Sequence, residues 1–368
     1  MKKSNELVLT ICVVALALLG IIMQFSASSY VALRDTGDKF FYVKKQSLAL
    51  VVALVGMVSM RHIRLEWVQK FSWVLLVFSC ILLSLVFVPG LGVEKYGATR
   101  WLNLGFTTFQ PSELAKFAVA IFIASRMANK SANTFKTMLS SLVAMGVVCV
   151  LIMLEPNMSI TMCVGLVGII MLFVGGAKLR HFLALVTPAV ALVVVMILAE
   201  PYRLKRLMAF LDPWASPLGE GYQLIQSYYA LGAGGFFGVG LFNSRQKYLF
   251  LPFAESDFIF AIIGEELGWV GCVMVLAVFC EVIVCGVRIA VQAERRFDTY
   301  LSLGVVSVIA VQTLLNIAVV TGSIPPTGLP LPFVSFGGSS LVVFMSAVGL
   351  LLNVAHHSQS TKFAHKMY

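Results

Sequence analysis

The amino-acid sequence predicts an all-α polytopic membrane protein with about ten transmembrane helices and a long extracytoplasmic loop between helices 7 and 8. Of its 368 residues, 59% are hydrophobic and only 12% are charged, whereas soluble proteins carry roughly 25% charged residues. Apolar runs recur along the whole chain, and no polar stretch between them is long enough to fold separately. We therefore expect one membrane domain that covers residues 1–368.

A helix that crosses the hydrocarbon core needs about 20 consecutive, mostly apolar residues. Ten segments of the chain come close to this length, at about 7–30, 46–60, 71–89, 112–128, 139–155, 158–176, 181–199, 257–287, 299–322 and 339–355. The first follows two lysines, as a signal peptide does, but its apolar run is long enough to cross the membrane. We expect it to be an uncleaved first helix.

The positions of the basic residues predict that both chain termini are cytoplasmic. With the N-terminus inside, the cytoplasmic segments hold fifteen Lys and Arg against four acids, and the other twelve basic residues share the remaining segments with thirteen acids. Cytoplasmic loops favour Lys and Arg, which also explains the formal net charge of +10 without a nucleic-acid partner. The segments 90–111, 200–256 and 322–338 then lie outside, where long loops tend to carry function.

The sequence also excludes several kinds of chemistry at the outer face. All five histidines fall in segments that we predict to be cytoplasmic, so an external general base is a carboxylate or a lysine. No HExxH, DxD or Cys/His cluster predicts a protein-bound metal. The seven cysteines lie inside apolar runs, as packing residues do. The glycine run at 232–240 matches no nucleotide-binding fingerprint.

Asp257 is the strongest catalytic candidate among the predicted external residues. It stands where a long apolar segment begins, directly after Glu255 and Ser256. Ionisable groups at membrane depth are costly and are functional candidates by default. The alternative is a helix N-cap, in which Ser256 or Asp257 accepts hydrogen bonds from free backbone N–H groups.

A second polar motif, at residues 109–116 (FQPSELAK), opens the fourth predicted helix. Pro111 suits a first helical turn, with Gln110 or an adjacent residue as the cap. Glu113 and Lys116 are i,i+3 neighbours and can pair on one helix face. This pair is either solvated at the interface, or turned into a cavity where it orients another carboxylate.

Arg100, Arg245 and Lys247 are external cations that can neutralise phosphate, since Arg and Lys both bind phosphate oxygens. Arg100 has an alternative role as an interfacial anchor beside Trp101.

The segment 325–340 contains no charged residue, which predicts a rigid loop that is buried in protein or lines a cavity. Ser339 and Ser340 at its end either contact substrate or cap the last helix.

Together and in order, these motifs resemble those of the SEDS glycosyltransferases (shape, elongation, division and sporulation), which polymerise peptidoglycan. The matching blocks cover nearly the whole chain, at 100–101, 109–116, 212–214, 221–223, 226–227, 244–247, 257–261, 265–268, 330–333 and 337–340. The blocks at 212–214 and 244–247 are more similar to the FtsW division type, or to its sporulation counterpart SpoVE, than to the RodA elongation type.

The resemblance implies ten transmembrane helices and lipid II, an undecaprenyl-pyrophosphate-linked disaccharide peptide, as the substrate. It implies a class B penicillin-binding protein and other division proteins as partners. Asp257 falls on the family's catalytic aspartate, and Glu113 and Lys116 fall on its intramembrane pair.

The sequence departs from the family pattern in two places. Phe253 stands where a glutamate is usual, and Glu255 stands where His or Gln is common. Further back, Glu155-Pro-Asn-Met-Ser159 replaces Gln-Pro-Asp-Leu-Gly.

We therefore expect an inverting peptidoglycan glycosyltransferase at the outer face of the bacterial cytoplasmic membrane, acting in cell division or sporulation. Asp257 would be the general base, with Glu113 and Lys116 holding it. The expected substrate contacts are Arg100, Gln110, Arg245, Lys247, Ser339 and Ser340. No cofactor is demanded by the motifs, and a divalent cation at the pyrophosphate stays open. The alternatives are a lipid II flippase and another lipid-linked glycan enzyme, such as an O-antigen ligase.

Overall fold

The computed structural model describes residues 2–95, 98–105, 107–129, 135–178, 183, 187 and 201–366. Within these residues the chain forms α-helices, one short 3-10 helix at Pro213–Ala215 and three short β-strands. The helices are α1 Lys2–Thr36, α2 Phe41–His62, α3 Leu65–Lys70, α4 Ser72–Leu85, α5 Pro111–Asn129, α6 Phe135–Leu154, α7 Met158–Val174, α8 Pro201–Leu211, α9 Tyr222–Gly234, α10 Ile259–Gln292, α11 Arg296–Val320 and α12 Gly338–Lys366. The strands are β1 Gly92–Lys95, β2 Ala98–Asn103 and β3 Thr108–Phe109.

Nine of the ten predicted spans coincide with these helices, and the seventh, 181–199, lies almost wholly outside the described residues. In the part of the chain that the structure describes, α1, α2, α6, α10, α11 and α12 each contain a stretch long and apolar enough to cross a bilayer. α4 and α7 are shorter apolar helices. A mostly helical, multi-pass membrane protein is therefore confirmed, whereas the count of ten, the single domain and the cytoplasmic termini stay predictions.

A small antiparallel sheet between α4 and α5 is absent from the all-α prediction. Val93 of β1 pairs with Trp101 of β2, and Leu102 of β2 pairs with Phe109 of β3. Strands of two to six residues are too short to show a clear alternation of apolar and polar side chains. The sheet carries Arg100 and leads directly into α5 at Pro111.

The long helix α10 is broken at Gly268, whose φ of 68° and ψ of −167° are not helical. The glycine-rich segment after α9 fills the break: the N–H of Trp269 donates to the Gly235 carbonyl, and the N–H of Val239 donates to the Glu265 carbonyl. A Cβ on Gly238 would lie 2.1 Å from the Glu266 carbonyl oxygen, so only glycine allows this approach. The glycine run that matched no nucleotide motif therefore satisfies the backbone of a broken helix.

α11 is the helix around which the site is built, because it packs against α5, α7, α10 and α12. The first turn of α12 lies beside α5 and β3, and the rest of α12 packs along α2. The charge-free segment 325–337 connects α11 to α12 and lies against the start of α10.

Candidate functional site

Asp257 lies in the turn that precedes α10, and its side chain is partly buried. α10 begins at Ile259 with Phe258 as the N-cap residue, and the Phe258 side chain makes no capping hydrogen bond. The N-cap alternative for Ser256 and Asp257 is therefore not the one that the helix uses. The Asp257 carboxylate instead faces the charge-free loop, since a Cβ built on Gly328 would lie 3.2 Å from Oδ2.

Three hydrogen bonds fix the segment that carries Asp257, two of them from the charge-free loop and one from α11. The Phe336 N–H donates to the Glu255 carbonyl at 3.0 Å, and the Ser335 hydroxyl donates to the Ser256 carbonyl at 2.5 Å. The Asn316 amide of α11 donates to the Asp257 carbonyl at 2.8 Å. Consecutive backbone carbonyls are thus held from three sides, which gives the Asp257 carboxylate a defined position.

Glu113 and Lys116 form the ion pair that the sequence predicts, and both side chains are fully buried. The Lys116 ammonium donates to both carboxylate oxygens of Glu113 at 3.0 Å and to the Gln312 side-chain carbonyl. Ser340 donates to Glu113 Oε2 at 2.9 Å. The pair is therefore an internal one that joins α5 to α11 and α12, and the alternative of a solvated interfacial pair is wrong.

Gln110, Ser339 and Ser340 lie together where α5 and α12 begin. The Gln110 N–H donates to the Ser339 hydroxyl at 3.3 Å, and that hydroxyl donates to the Thr108 carbonyl at 3.0 Å. α5 starts at Pro111, as predicted. These contacts, together with the hydrogen bond from Ser340 to Glu113, bring three of the predicted substrate residues to the side of the Glu113–Lys116 pair.

Arg100 is held at the turn between α6 and α7. Its guanidinium donates to the Glu155 carbonyl at 3.1 Å and to the Pro156 carbonyl at 2.5 Å. The Glu155 side chain is fully buried, and its carboxyl oxygens have no hydrogen-bond partner among the described residues. Burial raises the pKa of Glu155 to about 8, while the Arg100 charge lowers it. Glu155 is therefore mostly protonated at neutral pH.

Arg245 and Lys247 differ in their surroundings. The Lys247 ammonium is buried and donates to the Ser26 hydroxyl at 3.1 Å, the Phe242 carbonyl at 2.6 Å and Glu266 Oε1 at 3.3 Å. All three of its protons are used, so Lys247 fixes its own segment to α1 and α10. Arg245 is exposed, and no partner for its guanidinium is found in the described chain.

The carboxylates of Glu265 and Glu266 explain why the segment 242–247 has a fixed shape. Glu266 accepts from the N–H groups of Phe242 and Ser244, and Glu265 accepts from the N–H groups of Arg245 and Gln246. Four backbone donors and the Lys247 ammonium thus converge on two buried acids, which satisfies groups that would be costly to bury alone. Arg245 projects from this rigid base.

The two departures beside Asp257 fall in the same turn. Phe253 has a φ of 56°, in the left-handed region that is rare for an aromatic residue. Burial raises the pKa of the Glu255 carboxyl, and the nearby Asp35 carboxylate raises it further. Glu255 therefore binds a proton more readily than an exposed glutamate does.

A cavity of about 390 Å³ lies elsewhere, between α3, α4 and α5 at the end that we predict to be cytoplasmic. Lys70, Trp73 and Arg126 are among its lining residues, and none of the predicted site residues is. It has no part in the site around Asp257.

Sequence reasoning missed Gln312, Asn316, Ser335 and Gly328, which support the site from α11 and from the charge-free loop. A signal was present for the first two, because Gln312 and Asn316 are amides one turn apart inside an apolar helix. Their targets lie on remote segments, so the spacing indicates a buried polar face without saying what it contacts.

Comparisons with known proteins agree with this architecture. A family model described as cell cycle protein, for the FtsW, RodA and SpoVE proteins, matches residues 6–360. The chain is 40% identical over 362 residues to stage V sporulation protein E of Bacillus subtilis, which covers 97% of this chain and 99% of the relative. It is 37% identical over 357 residues to a probable peptidoglycan glycosyltransferase FtsW of Geobacter sp., and this match covers 96% of this chain and 97% of the relative.

Two solved structures share the fold. One is a chain from work on structural coordination of polymerization and crosslinking by a peptidoglycan synthase complex, with a TM-score of 0.77, 28% identity and coverage of 95% of this chain and 97% of that chain. The other is the rod shape determining protein RodA of Thermus thermophilus, with a TM-score of 0.69, 25% identity and 95% of each chain covered. The chain belongs to the FtsW, RodA and SpoVE family of cell cycle proteins.

Proposed function

We propose that this peptidoglycan glycosyltransferase polymerises lipid II at the outer face of the cytoplasmic membrane, with Asp257 as the general base. The family match and the named relatives support the reaction class. The observation that supports Asp257 is its placement in the turn before α10. Its own carbonyl and the two carbonyls before it accept hydrogen bonds from Asn316, Ser335 and Phe336. A base must be fixed within hydrogen-bond reach of the proton that it removes.

The reaction is an inverting glycosyl transfer. Asp257 accepts the proton of the 4-hydroxyl of the N-acetylglucosamine in the acceptor lipid II. That oxygen forms a bond to the anomeric carbon of the N-acetylmuramate at the reducing end of the growing strand. The bond from this carbon to the pyrophosphate oxygen breaks, and undecaprenyl pyrophosphate leaves with the electron pair. Base catalysis supplies about 10²–10⁴-fold, and the fixed geometry of two membrane-bound substrates adds to it.

The pyrophosphate that leaves carries negative charge, and Arg245 and Arg100 are the cations that we assign to it. Arg245 is exposed on a rigid segment, as a phosphate contact must be. Arg100 donates to two backbone carbonyls, which hold its charged guanidinium at the turn between α6 and α7, and we assign this positive charge to the pyrophosphate. Lys116 and Lys247 are buried in ion pairs, and we give them positioning roles.

We assign the ion pair of Glu113 and Lys116 a role in positioning the charge-free loop that faces Asp257. Its link to the charge-free loop is Gln312, which accepts from Lys116 and donates to the Pro330 carbonyl at 2.9 Å. Gln110, Ser339 and Ser340 border the pair and are assigned to substrate contact. A divalent cation at the pyrophosphate remains part of the proposal to be tested.

We further propose cytoplasmic termini and a class B penicillin-binding protein as the partner that crosslinks the new strand. The excess of Lys and Arg in the predicted inner segments supports the orientation. The fold match to a chain of a peptidoglycan synthase complex supports the partner.

The experiment is polymerisation of lipid II by the purified protein, with and without its penicillin-binding partner, for the wild type and Asp257→Ala. We expect long glycan strands from the wild type and none from the variant. A flippase would move lipid II across a vesicle without lengthening it, so the length of the product separates these two functions. Equal strand synthesis by Asp257→Ala would refute the assignment of the base.

A further inference from the structure

α11 carries two buried amide side chains one helical turn apart, and the roles assigned so far do not include Asn316. Gln312 is fully buried and Asn316 is 1% exposed. Because residues i and i+4 lie on the same face of a helix, both amides point to the same neighbours. Those neighbours are the charge-free loop 325–337 and the turn that carries Asp257.

Asn316 bridges two segments that are distant in sequence. Its single Nδ2 atom donates to the Asp257 carbonyl at 2.8 Å and to the Leu329 carbonyl at 2.7 Å. An amide NH₂ has two protons, so each carbonyl receives one. The turn before α10 and the loop before α12 are thereby joined through one side chain of α11.

Gln312 repeats the arrangement one turn away. Its Nε2 donates to the carbonyl of Pro330, the residue after Leu329, and its Oε1 accepts from the Lys116 ammonium. The two amides therefore bind consecutive carbonyls of the loop. One is tied to the buried ion pair and the other to Asp257.

The loop depends on such outside donors because it has few of its own. Pro325, Pro326, Pro330 and Pro332 lack a backbone N–H. Gly328, between them, has a φ of 73° and approaches the Asp257 carboxylate. A shift of the loop at Leu329 would therefore also move Gly328, the loop residue that lies next to the Asp257 carboxylate.

We propose that Asn316 is a positioning residue for the glycosyl transfer, because its amide fixes the Asp257 backbone and the Leu329 carbonyl at one distance from each other. Asn316 contacts no substrate, since its side chain is buried. This inference rests on the proposed function, in which Asp257 is the base. It predicts that loss of the amide slows the chemical step and leaves substrate binding nearly unchanged.

The test is the variant Asn316→Leu, which keeps the size of the side chain and removes both donors. Misplacement of a catalytic group by about 1 Å can cost about 10²-fold, so we expect kcat for lipid II polymerisation to fall by about 10–10²-fold. We expect KM to change by less than about threefold. Asn316→Ser, which restores one donor, should recover part of the loss.

Asn353 of α12 provides a matched control. It is 2% exposed, and its Nδ2 also donates to two backbone carbonyls, those of Met60 and Ile63, at 3.0 and 2.6 Å. These carbonyls lie at the C-terminal end of α2, and no hydrogen bond joins either of them to the loop 325–337 among the described residues. Asn353→Leu also removes two buried hydrogen bonds from an amide to backbone carbonyls. We therefore expect it to lower the Tm about as much as Asn316→Leu does and to leave kcat within about twofold of the wild type.

The outcomes are decisive. A fall in kcat for Asn316→Leu that Asn353→Leu does not share supports the proposal. Equal kcat losses in the two variants, or an unchanged kcat in Asn316→Leu, overturn it, and a rise in KM alone does so too. If Asn316→Leu cannot be purified, Asn316→Ser is judged by the same criteria. An inactive Asp257→Ala beside a fully active Asn316→Leu would refute this inference alone, whereas an active Asp257→Ala would refute the proposed function.

Discussion

We expect the buried ion pair of Glu113 and Lys116 to contribute several kcal/mol to the free energy of unfolding when only one of its two charges is removed. Both side chains are fully excluded from solvent. If Lys116 is replaced by Met, the Glu113 carboxylate keeps the Ser340 hydroxyl and loses two charged hydrogen bonds. If Glu113 is replaced by Gln, the Lys116 ammonium keeps Gln312 and loses its counter-charge. Each variant leaves one charge buried alone.

Leaving one member of a buried ion pair without its partner costs about 3–5 kcal/mol, whereas removing both charges costs much less. We therefore expect each single variant to be destabilised by about 3–5 kcal/mol and the double variant by no more than either one. Because the coupling energy is the sum of the two single losses minus the loss in the double variant, it should be at least about 3–5 kcal/mol. At roughly 2 °C per kcal/mol for a chain of this size, each single variant should lower the Tm by about 6–10 °C.

The assay is thermal unfolding in detergent, followed by the fluorescence of the five tryptophans, for the wild type, both single variants and Glu113→Gln/Lys116→Met. The exposed pair of Lys44 and Asp38, with a 2.7 Å contact, is the control cycle. Exposed pairs contribute about 0–1 kcal/mol, so their coupling should be small. If the two Tm losses at Glu113 and Lys116 simply add in the double variant, the account of this pair as an internal, coupled element is refuted.

Three further predictions concern single residues. Gly328→Ala should lower kcat about tenfold or more, because its Cβ would lie 3.2 Å from Asp257 Oδ2; Gly37→Ala has the same φ of 73° with nothing within 4 Å and should leave kcat unchanged. Glu155→Gln should stabilise the protein increasingly from pH 4.5 to pH 8 in Tm measurements, since a carboxyl with its pKa raised to about 8 holds a proton that the unfolded chain releases. At about 1.4 kcal/mol per pH unit, the gain at pH 7 is roughly 3 kcal/mol. Arg245→Ala should raise KM for lipid II several-fold in steady-state assays and leave the Tm unchanged, because the side chain is exposed.

Each of these has a result that would count against it. If Gly328→Ala and Gly37→Ala lost kcat equally, backbone strain would explain the loss and contact with the Asp257 carboxylate would not. A Tm difference between Glu155→Gln and the wild type that does not grow with pH would show that Glu155 is not buried as a neutral acid. An unchanged KM in Arg245→Ala would remove this residue from the substrate contacts.

Sequence patterns predict those features of the structure that depend on contacts between near neighbours in the chain or on the composition of one segment. Nine helices follow from the apolar runs, and the Glu113–Lys116 pair follows from i,i+3 spacing. The absence of charge in the segment 325–340 predicts a loop that is buried in protein or lines a cavity, and residues 331–335 of it are buried.

Contacts between remote segments could not be predicted in this way. The sequence predicts Lys247 as an external cation that can neutralise phosphate, whereas in the structure its buried ammonium is bound to Glu266 of α10 and Ser26 of α1. Neither partner is near Lys247 in the sequence, so the burial of this side chain could not be predicted from the sequence pattern around it. Asn316 is similar, because a polar residue within an apolar helix reveals that it needs partners without identifying the carbonyls that it binds.

The most direct test of the central claim is the rate of lipid II polymerisation by Asp257→Asn, measured with the penicillin-binding partner present. Asn keeps the size of the side chain and cannot accept the proton. Asp38→Asn, the same change in an exposed ion pair, is the control. The account predicts that Asp257→Asn loses about 10²-fold or more of the rate while Asp38→Asn keeps it; equal rates for Asp257→Asn and the wild type would contradict it.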